Sequence, residues 1–351
     1  MSINDPLEFF IQLHLTERCN LKCAHCYQSG ERRDELSLEE IRSIIDEVAD
    51  MLGEWSAAYA VTFSPSFNVT GGEPFLRNDL FQILEELAKR SIDAYLLSNG
   101  TLINKEKAAS LAHAGVKGVQ VSIEGPEKFH DAIRGTGNLN RSLAGIQCLL
   151  DAGIEVTMNT TLSDINASSF PDVIALASSI GVQKLGFSRL VPSGSGRKLL
   201  DRMLAKETLA DLYGRIFSLK TGSLKIVTGD PVASQLRRPA GDDAPGSFPS
   251  GGCAAGVSGL TILPDGTVVP CRRLPVPIGN VRTDSLREIW STSDVLNALR
   301  DRSRYDGKCG TCTRWSTCRG CRAIAYACSQ AHDRTNYLAE DPQCFLPDAS
   351  Q

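Results

Sequence analysis

Cys19, Cys23 and Cys26 stand in the order C-x-x-x-C-x-x-C and bring three thiols into one short loop. Three thiolates at that spacing suit three corners of a cubane iron–sulfur cluster, which ordinarily takes four cysteines. A missing fourth ligand leaves one iron open to a partner that is not protein, and an open iron can do chemistry on a bound small molecule. Zinc is a competing reading. Structural zinc wants four ligands, commonly as paired C-x-x-C knuckles. Here the first gap is three residues, and His25 is the direct neighbour of Cys26, badly placed to share one ion with it. A disulfide with a spare thiol is the other competitor. The chain opens Met-Ser-Ile-Asn-Asp, without the basic, apolar and cleavage regions of a secretory signal. A reducing, cytoplasmic setting is therefore expected, where disulfides are rare.

The chain holds twelve cysteines, and eight of them fall between Cys253 and Cys344. Cys253 and Cys271 come first, then Cys309, Cys312, Cys318 and Cys321 in the spacing C-x2-C-x5-C-x2-C, then Cys344. Two C-x-x-C pairs are good zinc spacing, so on the residues alone zinc stays open beside iron–sulfur clusters. Cys148 sits in the apolar helical stretch "GIQCLLDAG" and reads as core. Cys328 lies on a helical pattern and reads either as core or as one more ligand.

The elements that must position these residues alternate along the first two-thirds of the chain. Strand patterns occupy Phe9–Leu15, Asn68–Thr70, Ala94–Leu97, Gly118–Ile123, Glu155–Thr160 and Lys184–Ser188. Helical patterns follow Ser37, whose Glu40 three residues on forms a capping box, and run over Leu80–Lys89, Lys105–Ala114, Asn140–Ala152, Phe170–Ile180 and Lys206–Leu219. Six strand–helix units imply a parallel sheet covered by helices. Periodicity does not separate an open sheet from a barrel. Residues 223–252, rich in Pro, Gly, Asp and Ser towards their end, read as a linker or crossing segment. The stretch Trp55–Phe67 reads either as an insertion near the substrate mouth or as a longer strand or loop.

Polar residues stand where the apolar strands stop. Gly71, Gly72, Glu73 and Pro74 follow the second strand, Ser98 and Asn99 the third, Ser122 and Glu124 the fourth, and Asn159 the fifth. Adjacent glycines allow close backbone approach to a ligand, and a glutamate can accept from an ammonium group. Each alone is an ordinary turn or cap signal. The 351 residues are 42% hydrophobic, ample for a core, with a net charge of −4. No basic footprint for nucleic acid is present, and no apolar run reaches membrane-spanning length.

Taken together, "ERCNLKCAHCYQSG", "NVTGGEPFL" and the strand-end residues resemble the radical S-adenosylmethionine (SAM) superfamily. The resemblance implies a partial (β/α)6 TIM-like barrel over residues 8–222, with the cluster loop after the first strand. It implies a 4Fe–4S cluster on Cys19, Cys23 and Cys26 whose free iron chelates SAM, and a 5′-deoxyadenosyl radical from its reductive cleavage. Tyr27, Gly71, Gly72, Glu73, Pro74, Ser98, Asn99, Ser122, Glu124, Arg134 and Asn159 are the residues it assigns to SAM. Members often carry Asp where Glu124 stands. "HDAIRGTGN", with Arg134, and "RLVPSGSGR" resemble loops of the same enzymes.

From Cys253 onward, "ILPDGTVVPC" and "CRGCRAIAYA…LAEDPQC" resemble the SPASM domain, which holds one or two auxiliary 4Fe–4S clusters. The domain is expected over 253–346. By motif position Cys309, Cys312, Cys318 and Cys344 would hold an outer cluster, and Cys253, Cys271 and Cys321 an inner one. The usual run ends C-x3-C, whereas Cys318 and Cys321 are two residues apart, a form found in SPASM-like enzymes of haem biosynthesis and some peptide maturases. The inner site then counts three cysteines, its fourth position open, filled by another group or filled by Cys328.

The function implied is a net oxidation by a radical SAM enzyme. The first substrate reading is a peptide or protein, as for a maturase. The second is a small molecule such as a tetrapyrrole of haem biosynthesis, oxidatively decarboxylated. A third, a non-catalytic electron-transfer protein, requires the "GGEP" and strand-end residues to be coincidence. The chain begins almost at its first strand, without the leader-gripping domain of many maturases, which weighs against the peptide reading. Arg272 stands where sulfatase maturases carry an aspartate base, which weighs against that activity. The pair Arg272–Arg273 reads either as a binder of substrate carboxylates or as surface charge. A reductant such as flavodoxin or ferredoxin is the implied partner.

Overall fold

The computed structural model describes residues 6–28, 30, 34–237 and 249–347. Its centre is one ten-stranded sheet. The six expected strands are β1 (Leu7–His14), β2 (Phe63–Thr70), β3 (Asp93–Ser98), β4 (Gly118–Ser122), β5 (Glu155–Leu162) and β6 (Lys184–Arg189). They pair in sequence order, all parallel. Between them run α1 (Leu38–Tyr59), α2 (Leu80–Lys89), α3 (Lys105–His113), α4 (Glu127–Arg134), α5 (Asn138–Asp151) and α6 (Phe170–Ile180), and α7 (Lys206–Ser218) follows β6. This is the partial barrel of strand–helix units that the sequence implied.

Alternation along the strands decides which face meets which solvent. In β5 the side chains of Val156, Met158, Thr160 and Leu162 are buried, while the intervening Thr157, Asn159 and Thr161 are half-buried. The buried set joins the apolar faces of the helices in one continuous core. The other set turns inward, so the polar strand ends look into the barrel. Helix α1 starts as its sequence dictates: Ser37 accepts from Glu40 N, and Glu40 accepts from Ser37 N at 2.7 Å. It buries Ile41, Ile44, Ile45, Val48, Met51 and Leu52.

The linker reading needs correction. Residues 223–252 are not all linker. Lys225–Val227 forms β7, which pairs parallel with β6. A turn at Pro231–Ala233 and α8 (Ser234–Arg237) follow. Short polar strands and Pro-initiated turns have the composition of a linker, which is why the segment misled. The rest of the expected linker, 238–248, lies outside the described residues. The region from residue 253 continues the barrel's own sheet. Its β8 (Gly259–Ile262) pairs parallel with β1, and β9 (Thr267–Val269) and β10 (Gly279–Asn280) extend the same sheet antiparallel. Of the two readings of Trp55–Phe67, the structure matches the longer strand and not an insertion at the mouth. It is the end of α1 and the start of a longer β2, at the amino-terminal ends of the parallel strands.

Beyond β10 the chain is mostly short helices and turns. They are α9 (Leu286–Thr292), α10 (Asp294–Arg300), α11 (Lys308–Thr311) and α12 (Arg322–Gln330). Among the described residues no helix is long and apolar enough to cross a membrane.

Candidate active site and cluster cavities

The carboxyl ends of the strands surround a cavity of about 160 Å³. Cys19, Cys23 and Cys26 line it together with Tyr27, Gly71, Gly72, Ser98, Asn99, Ser122, Arg134 and Asn159. The cysteine loop leaves β1 and is pinned from several sides. Gly72 N donates to Thr16 O at 2.6 Å, Glu73 N to Arg18 O at 2.8 Å, and Gly196 N to Cys26 O at 3.0 Å. The glycines serve this seat. A Cβ on Gly71 would stand 2.6 Å from Thr16 O, and one on Gly72 would collide with Arg18 O. Their smallness is spent on the cysteine loop as well as on the cavity wall. Gly194, at φ +56°, meets Tyr27 and Gln28 backbone in the same way.

Glu73, Pro74 and Glu124, which the sequence also assigned to SAM, do not line this cavity. Glu73 is fully buried and accepts from Ser98 Oγ at 2.8 Å and Asn99 N at 3.0 Å. Burial outweighs these bonds and raises its carboxyl to about 7. Pro74 opens the short turn after it. Glu124 accepts from Arg134 Nη2 at 2.6 Å and from Thr161 N at 2.8 Å, and its Oε1 lies 3.0 Å from His25 Nε2. Although burial opposes ionisation, Arg134 and His25 hold this carboxyl far below the usual range. Arg134 Nη1 in turn lies 3.7 Å from Cys23 Sγ. Glu124, Arg134 and His25 thus form a brace under the cysteine loop. His25 was dismissed as a metal ligand, and its role in the brace carries no sequence signal, because its partner is 99 residues away.

The C-terminal cysteines line two separate cavities. Cys309, Cys312, Cys318 and Cys344 line one cavity of about 380 Å³. Cys253, Cys271 and Cys321 line another of about 110 Å³, alongside Arg273. Cys328 lines neither. Its sulfur lies 3.8 Å from Met203 Sδ, in an apolar cluster with Ala323, Ile324 and Ala327, so it is core. Cys148 is likewise packed against the main core. One functional residue went unseen in the sequence. Buried Gln235 on α8 donates through Nε2 towards Cys344 Sγ at 3.3 Å and Cys318 Sγ at 3.6 Å. It lies in the stretch that read as linker.

The donor sets fit iron–sulfur clusters. Among the described residues no three His, Cys, Asp or Glu groups converge as a single metal ion requires. Instead the thiols stand around cavities, as the corners of a cubane demand. All twelve cysteines are unpaired. Burial pushes the thiol of Cys318 up to about 11 and raises those of Cys23 and Cys26. A bound cluster would draw those protons off as it coordinates the thiolates.

A buried ionic junction ties β6 to the C-terminal region. Arg189 donates to Asp230 at 2.6 and 2.9 Å and to Asp341 at 2.9 and 2.8 Å. Asp341 also accepts from Cys321 N at 2.7 Å, and Tyr213 Oη donates to Asp230 at 2.5 Å.

Comparison with known proteins agrees with this geometry. The family model "Radical SAM superfamily" matches residues 13–177, and the SPASM model, an iron-sulfur cluster-binding domain, matches residues 253–322. An AdoMet-dependent heme synthase of Nitratidesulfovibrio vulgaris is 31% identical over 350 residues, covering 95% of this chain and 91% of the relative. The mycofactocin maturase MftC of Mycobacterium tuberculosis is 30% identical over 344 residues, covering 94% of this chain and 81% of the relative. The crystal structure of Streptococcus suis SuiB bound to S-adenosylmethionine shares the fold, with a TM-score of 0.75 at 16% identity, over 97% of this chain and 78% of that one. Three thiols around a strand-end cavity, auxiliary thiol sets beyond it and relatives along nearly its full length converge: the chain belongs to the radical SAM superfamily and carries a C-terminal SPASM domain.

Proposed function

We propose that this radical SAM enzyme carries out a net oxidation on a substrate seated between the SAM cavity and the inner thiol cavity. One observation carries the reading. The turn at Cys271–Leu274, closed by Leu274 N on Cys271 O at 2.8 Å, forms a wall of both cavities. Bound SAM and its cluster supply the hydrogen-abstracting radical, and an auxiliary cluster supplies an electron acceptor. The chain's own residues hold the cysteine loop rigid, cover it with the Gly194 loop and line the cavity with polar strand ends. Ser98, Asn99, Ser122 and Asn159 are the residues proposed to touch SAM. Glu73 is proposed to orient Ser98 and Asn99 from beneath.

Two substrate classes have support. A peptide or protein substrate is supported by the similarity to the mycofactocin maturases over 94% of this chain. A tetrapyrrole is supported by the similarity to AdoMet-dependent heme synthases and to a pre-heme d1 synthase of Dinoroseobacter shibae, 31% identical over 360 residues. The arginines on the shared wall favour a substrate with carboxylates. The enzyme is proposed to work in the cytoplasm with a flavodoxin- or ferredoxin-type reductant.

The test is 5′-deoxyadenosine release from SAM by anaerobic, cluster-reconstituted, reduced enzyme, with a propionate-bearing iron porphyrin or a candidate peptide present. Stimulation by one class, with deuterium passing from labelled substrate into 5′-deoxyadenosine, assigns the substrate. Full cluster loading with no release under any of these conditions would overturn the reading.

A further inference from the structure

Four arginines line the SAM cavity: Arg134, Arg189, Arg272 and Arg273. Their partners differ. Arg134 is held by Glu124, and Arg189 by Asp230 and Asp341. The Arg272 guanidinium stacks over Tyr27, 5.6 Å from the ring centroid. Arg273 is the exception. Its Nε is buried and makes no hydrogen bond. Its carboxylate neighbour, Asp230, is already shared by Arg189 and Tyr213. Arg273 also lines the inner cavity beside Cys253, Cys271 and Cys321.

A buried guanidinium donor without an acceptor is costly. The cost persists where a ligand supplies the missing acceptor. The guanidinium fork matches a carboxylate in two-point geometry. Thiolates of a bound inner cluster would balance its charge but are poor geometric partners for the fork.

We propose that Arg273 binds a carboxylate of the substrate and so fixes the reacting group between the SAM cavity and the inner thiol site. The inference rests on the tetrapyrrole form of the proposed function, whose substrates carry propionates. Arg272 then acts beside it, held over Tyr27 as a wall. SAM has a carboxylate too. It is the other source of the same chemistry, and the test separates them.

The test uses the reconstituted holoenzyme with an iron porphyrin bearing four propionates and with its tetramethyl ester. Binding is followed by the porphyrin absorption band, and SAM affinity by equilibrium dialysis. Arg273→Gln should weaken binding of the acid by about tenfold to a hundredfold and that of the ester far less. Arg273→Lys, which keeps the charge, should recover part of the preference for the acid. Equal weakening of acid and ester, or no change in either, would overturn the inference. So would a fall in SAM affinity as large as the fall for the acid, which would assign the guanidinium to SAM. So would loss of the inner cluster's EPR signal in Arg273→Gln while that variant keeps the wild-type preference for the acid, which marks charge balance of the cluster alone. If the wild-type enzyme binds neither porphyrin, the tetrapyrrole reading itself fails. That outcome is distinct from binding that ignores Arg273.

Discussion

Gln235 sets two N–H donors against sulfur, and hydrogen bonds to cluster sulfurs raise reduction potentials. Gln235→Leu should therefore lower the midpoint of the outer cluster by on the order of tens of millivolts. A potentiometric EPR titration of the reconstituted enzyme reads it, and an unmoved midpoint refutes it. Glu73 carries a second prediction. Its folded carboxyl titrates at about 7 against an ordinary 4.5, so the folded chain binds that proton more tightly than the unfolded chain does. The contribution to stability is full below the ordinary value and is lost as pH rises towards 7. Against Glu73→Gln, which cannot ionise, the metal-free wild-type chain should lose roughly 2–3 kcal/mol between pH 5 and pH 8. Urea unfolding at both pH values measures this, and parallel profiles would contradict it. At the cysteines, replacing Cys19, Cys23 and Cys26 together by alanine should abolish SAM cleavage, read as 5′-deoxyadenosine released.

The loop after β1 depends on the strands beside it more than on its own residues. Gly72→Ala would drive a methyl into Arg18 O. It should destabilise the fold by about 1–3 kcal/mol and unseat the SAM-binding cluster while sparing the auxiliary ones. Iron content with Mössbauer or EPR spectra would show the selective loss, and equal loss from every cluster would contradict it. Much of this layer was legible. Helices α2 and α6 begin and end at the residues the periodicity indicated, because their apolar faces repeat with helical period and pack on one core. The strand-end residues Ser98, Asn99, Ser122 and Asn159 reached the cavity because parallel strands deliver their carboxyl ends to one side. The brace of His25, Glu124 and Arg134 was not legible as a unit. Its members come from the loop after β1, the end of β4 and α4, and nothing local in a sequence states which side chains meet across a barrel. β7 was missed for another reason. Three residues, Lys225–Val227, are too few to show alternation.

Arg189, Asp230 and Asp341 join parts of the chain up to 152 residues apart, all within the interior. Removing one member of such a network strands the others without compensation, at about 3–5 kcal/mol. Arg189→Met should show that loss in denaturant unfolding. It should also loosen the Cys321 amide from Asp341 and lower retention of the auxiliary iron. An unchanged unfolding midpoint would count against the junction as a structural tie. The sheet carries a further consequence, for biosynthesis. β1 leaves the ribosome long before one of its two neighbours, β8, which lies about 250 residues downstream. Until Gly259–Ile262 emerges, Phe10–Leu13 presents an apolar strand edge with unpaired amides and carbonyls, the kind of template on which chains aggregate. A nascent chain therefore waits with its cluster loop hanging from an unfinished sheet. Iron delivered during that wait meets three cysteines before the wall that shields them exists, so durable loading of the first site belongs after release of the whole chain.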